Sequence, residues 1–186
     1  MKLNGLRTFP ASRQKVWEFL IAPQQLAKCI PGCAKLDAIG EHEYASQINV
    51  GLAAVKGVYT GKVKLEELQS PSHYKILIDG KGRQGFIKGN GTIDLEEQEG
   101  QTLLRYSGDL QIGGPLASVG QRMIDGAAKM MISQFFTAME AEIKAAPGEE
   151  VKQGAAINLW RYLLKLIREK LATLFGKKTV SGERSS

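Results

Sequence analysis

The chain has 186 residues, 43% of them hydrophobic and 24% charged, which is room for one domain with an appendage and excludes both wholesale disorder and a polytopic membrane protein. Its 25 lysines and arginines outnumber 19 aspartates and glutamates, and the surplus is uneven: residues 1–146 carry 17 against 15, residues 147–186 carry 8 against 4. The tail is the basic part, and Met1 to Pro10 lacks the features of a secretory signal, so a cytoplasmic chain with reduced cysteines is expected.

Leu3 to Phe9 reads as a short strand closed by Pro10, and Ser12 is placed to cap a helix with the apolar set Val16, Phe19 and Leu20. Pro23 ends that helix. A further turn holds Leu26, and Cys29-Ile30-Pro31-Gly32-Cys33 then forces a bend. Segments rich in Val, Ile, Leu, Tyr and Thr, separated by turn residues, predict six strands over 34–40, 43–52, 55–68, 73–82, 90–98 and 102–112. Gly113-Gly114-Pro115 stops the last one.

A continuous helix is predicted from Leu116 to Ala145, roughly 45 Å long at about 1.5 Å per residue. Its apolar stripe reads as Leu116, Val119, Met123, Ala127, Met130, Met131, Gln134 and Ala138. Gln121, Arg122, Asp125, Lys129, Glu140 and Lys144 fall on the wet side, with Asp125–Lys129 and Glu140–Lys144 as supporting four-apart pairs. The fold class is therefore α+β: a curved antiparallel sheet over residues 1–146 that buries one face on a long C-terminal helix. Residues 147–156 read as a linker, 157–176 as a separate amphipathic helix and 177–186 as a polar disordered tail.

Four of the five methionines, Met123, Met130, Met131 and Met139, sit on the long helix beside Phe135 and Phe136. Such a surface is either plain core or the adaptable lining of a cavity for a large apolar guest. On the second reading the lining would be Leu116, Val119, Met123, Ala127, Met130, Met131 and Phe135, with Phe86 from the sheet.

Other patterns point to less. Cys29 and Cys33 lack the Cys-x-x-Cys spacing of a redox pair, and His42 and His73 fall at turns far from them, so no metal is expected. Gly80-Lys81-Gly82-Arg83-Gln84-Gly85 matches G-x-G-x-x-G, but β formers follow where a dinucleotide site needs a helix; a turn between strands is expected. Asn90-Gly91-Thr92 matches a glycosylation acceptor without a secretory context. No catalytic constellation is legible: Ser107 and Ser118 have no histidine partner, and Glu66-Glu67 and Glu96-Glu97 read as a solvated rim. An enzyme would need Tyr59, Tyr74, Tyr106 or Asp109 to converge inside the cavity.

The tail helix presents Leu159, Trp160, Leu163, Leu164, Ile167, Leu171, Leu174 and Phe175 on one broad face, with Arg161, Lys165 and Arg168 towards the other. That pattern suits a helix lying in the plane of an anionic membrane, and its alternative is docking on its own domain or on a protein partner. Nucleic acid is not expected as a partner, because the body is nearly neutral and has no basic-aromatic strand motif.

Several stretches resemble the CoxG family, named for a subunit of carbon monoxide dehydrogenase, within the START-like (SRPBCC) helix-grip superfamily. They are Phe9-Pro10-Ala11-Ser12 with Val16-Trp17, the Cys29 to Cys33 bend, Val55 to Val63, Gly85 to Gly91, Gly113 to Gly120 and Phe135-Phe136. The resemblance implies a seven-stranded antiparallel sheet around the long helix with a hydrophobic cavity between them. It also implies a non-enzymatic accessory role beside a molybdenum hydroxylase of carbon monoxide dehydrogenase type. A respiratory quinone or lipid as bound guest, with recruitment to the inner face of the cell membrane, belongs to the same expectation. The alternatives are a cyclase or hydrolase working on an apolar substrate in that cavity, and a ligand-free protein adaptor.

Overall fold

The computed structural model of the protein describes residues 1–52 and 55–145. The expected linker, amphipathic helix and tail, over 147–156, 157–176 and 177–186, lie outside the described residues. In chain order the elements are β1 (Lys2–Phe9), α1 (Arg13–Ile21), α2 (Pro23–Cys29), β2 (Cys33–Gly40), β3 (Glu43–Val50), β4 (Gly57–Gln69), β5 (His73–Gly82), β6 (Gly85–Gln98), β7 (Gln101–Gly113), a 3-10 turn (Gly114–Val119) and α3 (Gln121–Lys144).

One antiparallel seven-stranded sheet runs in the order β1-β7-β6-β5-β4-β3-β2. The strand that opens the chain thus pairs with the one that ends the sheet, Phe9 opposite Thr102, and the two helices fill the crossing between β1 and β2. Ser12 starts α1 by accepting the Lys15 backbone N–H at 3.4 Å, and Pro23 opens α2 where its missing N–H costs nothing. Alternate strand residues turn inward. Leu36, Tyr44, Val63, Leu65, Tyr74, Ile76, Ile93, Leu95, Leu104, Tyr106 and Phe9 join Ile132, Phe135, Phe136, Met139 and Ile143 of α3 in one cluster.

Two expectations are corrected. Strand β6 begins at Gly85 rather than at residue 90: Phe86 to Gly89 pair with β5 on one side and β7 on the other, and this two-sided ladder outweighs the low strand propensity of the glycines. The long helix is not continuous from Leu116. It breaks at Gly120, whose φ of +96° lies in the region that favours glycine, so Leu116 and Val119 sit in the 3-10 turn and α3 starts afresh at Gln121.

That break shifts the rotational phase. The buried residues of α3 are Ile124, Phe136, Met139 and Ile143, whereas Met123 and Met130 are 57% and 48% exposed. Gln134 is exposed too, and Asp125, expected on the wet side, is half-buried with Oδ1 enclosed and unpartnered among the described residues. Of the two expected helix pairs, Glu140–Lys144 forms, at 2.7 Å.

Candidate ligand cavity

Between the sheet and α3 lies a cavity of about 410 Å³, a volume in the range of small-molecule sites. Strands β2 to β6 supply its wall through inward residues including Leu36, Tyr44, Ile48, Tyr59, Val63, Ile76, Ile78, Ile87 and Ile93. Leu20 of α1, Leu26 of α2 and Ile30 close one side, and Ile132, Phe135 and Phe136 of α3 the other. The lining is almost wholly apolar. Gly61 faces Gly80 across the β4–β5 ladder, so the inner surface carries no side chain there and the hollow deepens.

The polar groups on this wall are few. Tyr59 donates its hydroxyl to the Val55 carbonyl at 3.0 Å, and Ser46 donates to the Gly61 carbonyl at 3.4 Å. Lys62 and Asp79 also border the cavity, but each makes an ion pair with a residue of the adjoining strand, Lys62 with Glu43 at 3.2 Å and Asp79 with Lys88 at 3.4 Å. Tyr44 and Tyr74 are buried, and the Tyr74 ring stands edge-on to Trp17 with centroids 5.7 Å apart. Burial first, then the neighbouring Tyr44, holds the Tyr74 phenol well above the usual tyrosine range, and burial raises that of Tyr59. Both are hydroxyl donors at neutral pH, not bases.

The residues expected to line a cavity are divided by the fold. Phe135 lines this one. Leu116 is buried at the β5–β6 hairpin, its backbone N–H bonded to the Gln84 carbonyl at 2.5 Å, and Val119 is half-buried in the same turn. Ala127 and Met131 are half-buried on α3 and border no part of this cavity, Met123 and Met130 face outward, and Phe86 lies on the outer sheet face at 40% exposure with its ring over Gly113. Phe86 alternates with Ile87, and it is Ile87 that faces in. The signal for the true lining was present in the strands: branched and aromatic residues share the inward register with Gly57, Gly61, Gly80, Gly89 and Gly91, and an inward glycine in a strand marks a bend or an empty space.

The remaining motifs resolve simply. The Gly80 to Gly85 stretch is the β5–β6 hairpin, Gly82 pairing Gly85 across Arg83 and Gln84, with no helix beside it among the described residues. His73 Nδ1 lies 2.6 Å from Asp94 Oδ1 at the start of β5, and no group of three His, Cys, Asp or Glu side chains converges among the described residues. Cys29 is buried at the end of α2; burial, then the charge of Glu142, partly offset by Lys28, pushes its thiol up to about 12, far from the thiolate that redox or metal chemistry needs. Of the four groups named as ones an enzyme could draw on, Tyr59 and Tyr74 line the cavity. Tyr106 packs on Phe136 at 5.4 Å, and Asp109 is exposed on the outer sheet face.

A sheet gripping a C-terminal helix over an apolar hollow defines a START-like helix-grip protein. Solved structures agree: a START superfamily protein from Mycobacterium smegmatis is similar over 77% of this chain and 97% of its own at TM-score 0.59 and 12% identity. A protein from Thermus thermophilus matches 80% of this chain and all of its own at TM-score 0.61 and 10% identity, a likeness of fold alone. A conserved protein from Geobacillus kaustophilus is nearer, 39% identical over 77% of this chain and 95% of that one, with TM-score 0.75. No curated protein sequence matches the chain. The model of the carbon monoxide dehydrogenase CoxG family matches residues 5–144, and the chain belongs to that family.

Proposed function

We propose that this protein is a non-enzymatic accessory factor of a molybdenum hydroxylase of carbon monoxide dehydrogenase type. Its cavity holds a hydrophobic small molecule, with a respiratory quinone as the candidate, and residues 157–176 recruit the complex to the inner face of the cell membrane. The observation that carries the reading is the apolar hollow between β2–β6 and α3, where Tyr59 and Tyr74 are protonated phenols and the bordering Lys62 and Asp79 are each engaged in an ion pair with Glu43 and Lys88 rather than with each other as an acid and base pair. Family membership supports the partner, and the amphipathic pattern of residues 157–176 supports the membrane. No helix among the described residues is long and apolar enough to cross a bilayer, so attachment would fall to that segment.

Catalysis on an apolar substrate is the weaker reading, since Asp109 and Tyr106 do not join Tyr59 and Tyr74 at the cavity wall. The test is organic extraction of gently purified full-length protein with mass spectrometry, followed by titration with isoprenoid quinones. A retained quinone is expected, and a protein that is repeatedly empty and indifferent to quinones removes the carrier role. Co-sedimentation with anionic liposomes, with and without residues 157–186, tests the anchor, which is wrong if truncation leaves sedimentation unchanged.

A further inference from the structure

The cavity contains two buried tyrosines whose hydroxyl donors go unused. Tyr44 and Tyr74 line it at 9% and 4% exposure, and neither phenol hydroxyl hydrogen-bonds to another described residue, whereas those of Tyr59 and Ser46 are spent on backbone carbonyls. Neither hydroxyl oxygen is sealed off, so both stay open to a small molecule, and in an otherwise apolar wall a free donor is where a guest's polar atom gains most. Both tyrosines line this one cavity, and Trp17 of α1 packs the Tyr74 ring in place. Among the described residues no cation serves the same spot: the lysine bordering the cavity, Lys62, is turned to Glu43. A carboxylate would therefore be buried without a countercharge, while a neutral oxygen would find donors waiting.

Resting on the carrier reading, we infer that the guest is a flat or elongated apolar molecule carrying a neutral carbonyl oxygen, seated against the Tyr44 and Tyr74 hydroxyls beside α1. These two tyrosines are the groups that distinguish it from a hydrocarbon and from a fatty acid. Because burial disfavours the phenolate, the Tyr74 hydroxyl remains a donor across the neutral range.

Calorimetric titration of the delipidated full chain with three probes of one ring size tests this: menadione, 2-methylnaphthalene and 2-naphthoate. Menadione should bind on the order of tenfold or more tightly than 2-methylnaphthalene, and naphthoate no better than the hydrocarbon. Tyr44→Phe and Tyr74→Phe, singly and together, should remove the menadione advantage and leave 2-methylnaphthalene affinity unchanged, which also reports an intact fold. Equal binding of menadione and 2-methylnaphthalene by the wild type, or a menadione advantage that survives both substitutions, overturns the carbonyl seat while leaving the hydrophobic carrier standing. Tighter binding of naphthoate than of menadione likewise overturns the seat. Failure of all three probes to bind overturns the carrier reading and the seat with it.

Discussion

The two flanks of the sheet meet the same helix in opposite ways. Where the end of β1 and the first residues of β7 meet the last turns of α3 the space is filled: Phe9, Val16, Leu104 and Met139 are fully buried, and Phe9 meets Phe136 edge-on at 6.0 Å. Thr102, fully buried, donates to the Ala11 carbonyl at 2.7 Å. Lys15 donates to the Ile143 carbonyl and Arg7 pairs with Glu140, both at 2.8 Å, so the last turns of α3 are tied to α1 and β1. Towards β2–β6 the middle of α3 stands off the sheet and leaves the cavity. A fold of this size can hold a hollow because stability is drawn from one flank and binding space from the other.

The sharpest contrast should come from truncating each flank. Phe9→Ala removes a ring with no exposure and should cost about 3–5 kcal/mol in urea unfolding. Ile76→Ala on the cavity wall should cost about 1–2 kcal/mol, because a half-buried side chain facing empty space gives up fewer contacts. Equal losses at the two sites would mean that the hollow is closed in solution.

Filling the hollow should separate binding from stability. A Cβ at Gly80 would meet only the Ile87 and Thr60 carbonyls, at 3.8 and 3.9 Å, so Gly80→Val should stay within about 0.5 kcal/mol of the wild type while weakening 2-methylnaphthalene on the order of tenfold. Gly61→Val, whose Cβ would collide with the Asp79 carbonyl, should instead unfold readily, and denaturation curves of the two variants make the comparison.

The smallest effect is electrostatic and belongs to the filled flank. Lys144 first, then Arg7, hold the Glu140 carboxyl below the ordinary glutamate range. Its contribution is therefore complete above the ordinary glutamate value and is lost as pH falls through the lowered one. Wild type should lose more stability than Glu140→Gln between about pH 6 and about pH 3, as read by thermal unfolding; parallel losses would show that the pair does not couple to folding.

Much of the architecture was legible along the chain. Turn residues and strand alternation placed six strands after the helical pair, and Ser12 with Pro23 placed α1 and α2, because these signals act over a few residues. The cavity was not legible in the same way. Methionines on α3 suggested an adaptable surface, yet Met123 and Met130 face outward, since one left-handed glycine at position 120 turned the helix by a fraction of its circumference. Ile48, Ile78 and Ile93 carry only a strand signal, which says nothing of what lies opposite them.

From the order of residues alone came the class of fold, the elements and the family likeness, all of which depend on local backbone preference and on patterns that recur within short windows. Tertiary packing decided which face of α3 is buried, where side chains fail to fill the sheet's concave surface and which phenols are left without partners. An empty volume is a relation among residues distant in sequence, set by sheet curvature and helix rotation together, and no local preference encodes it.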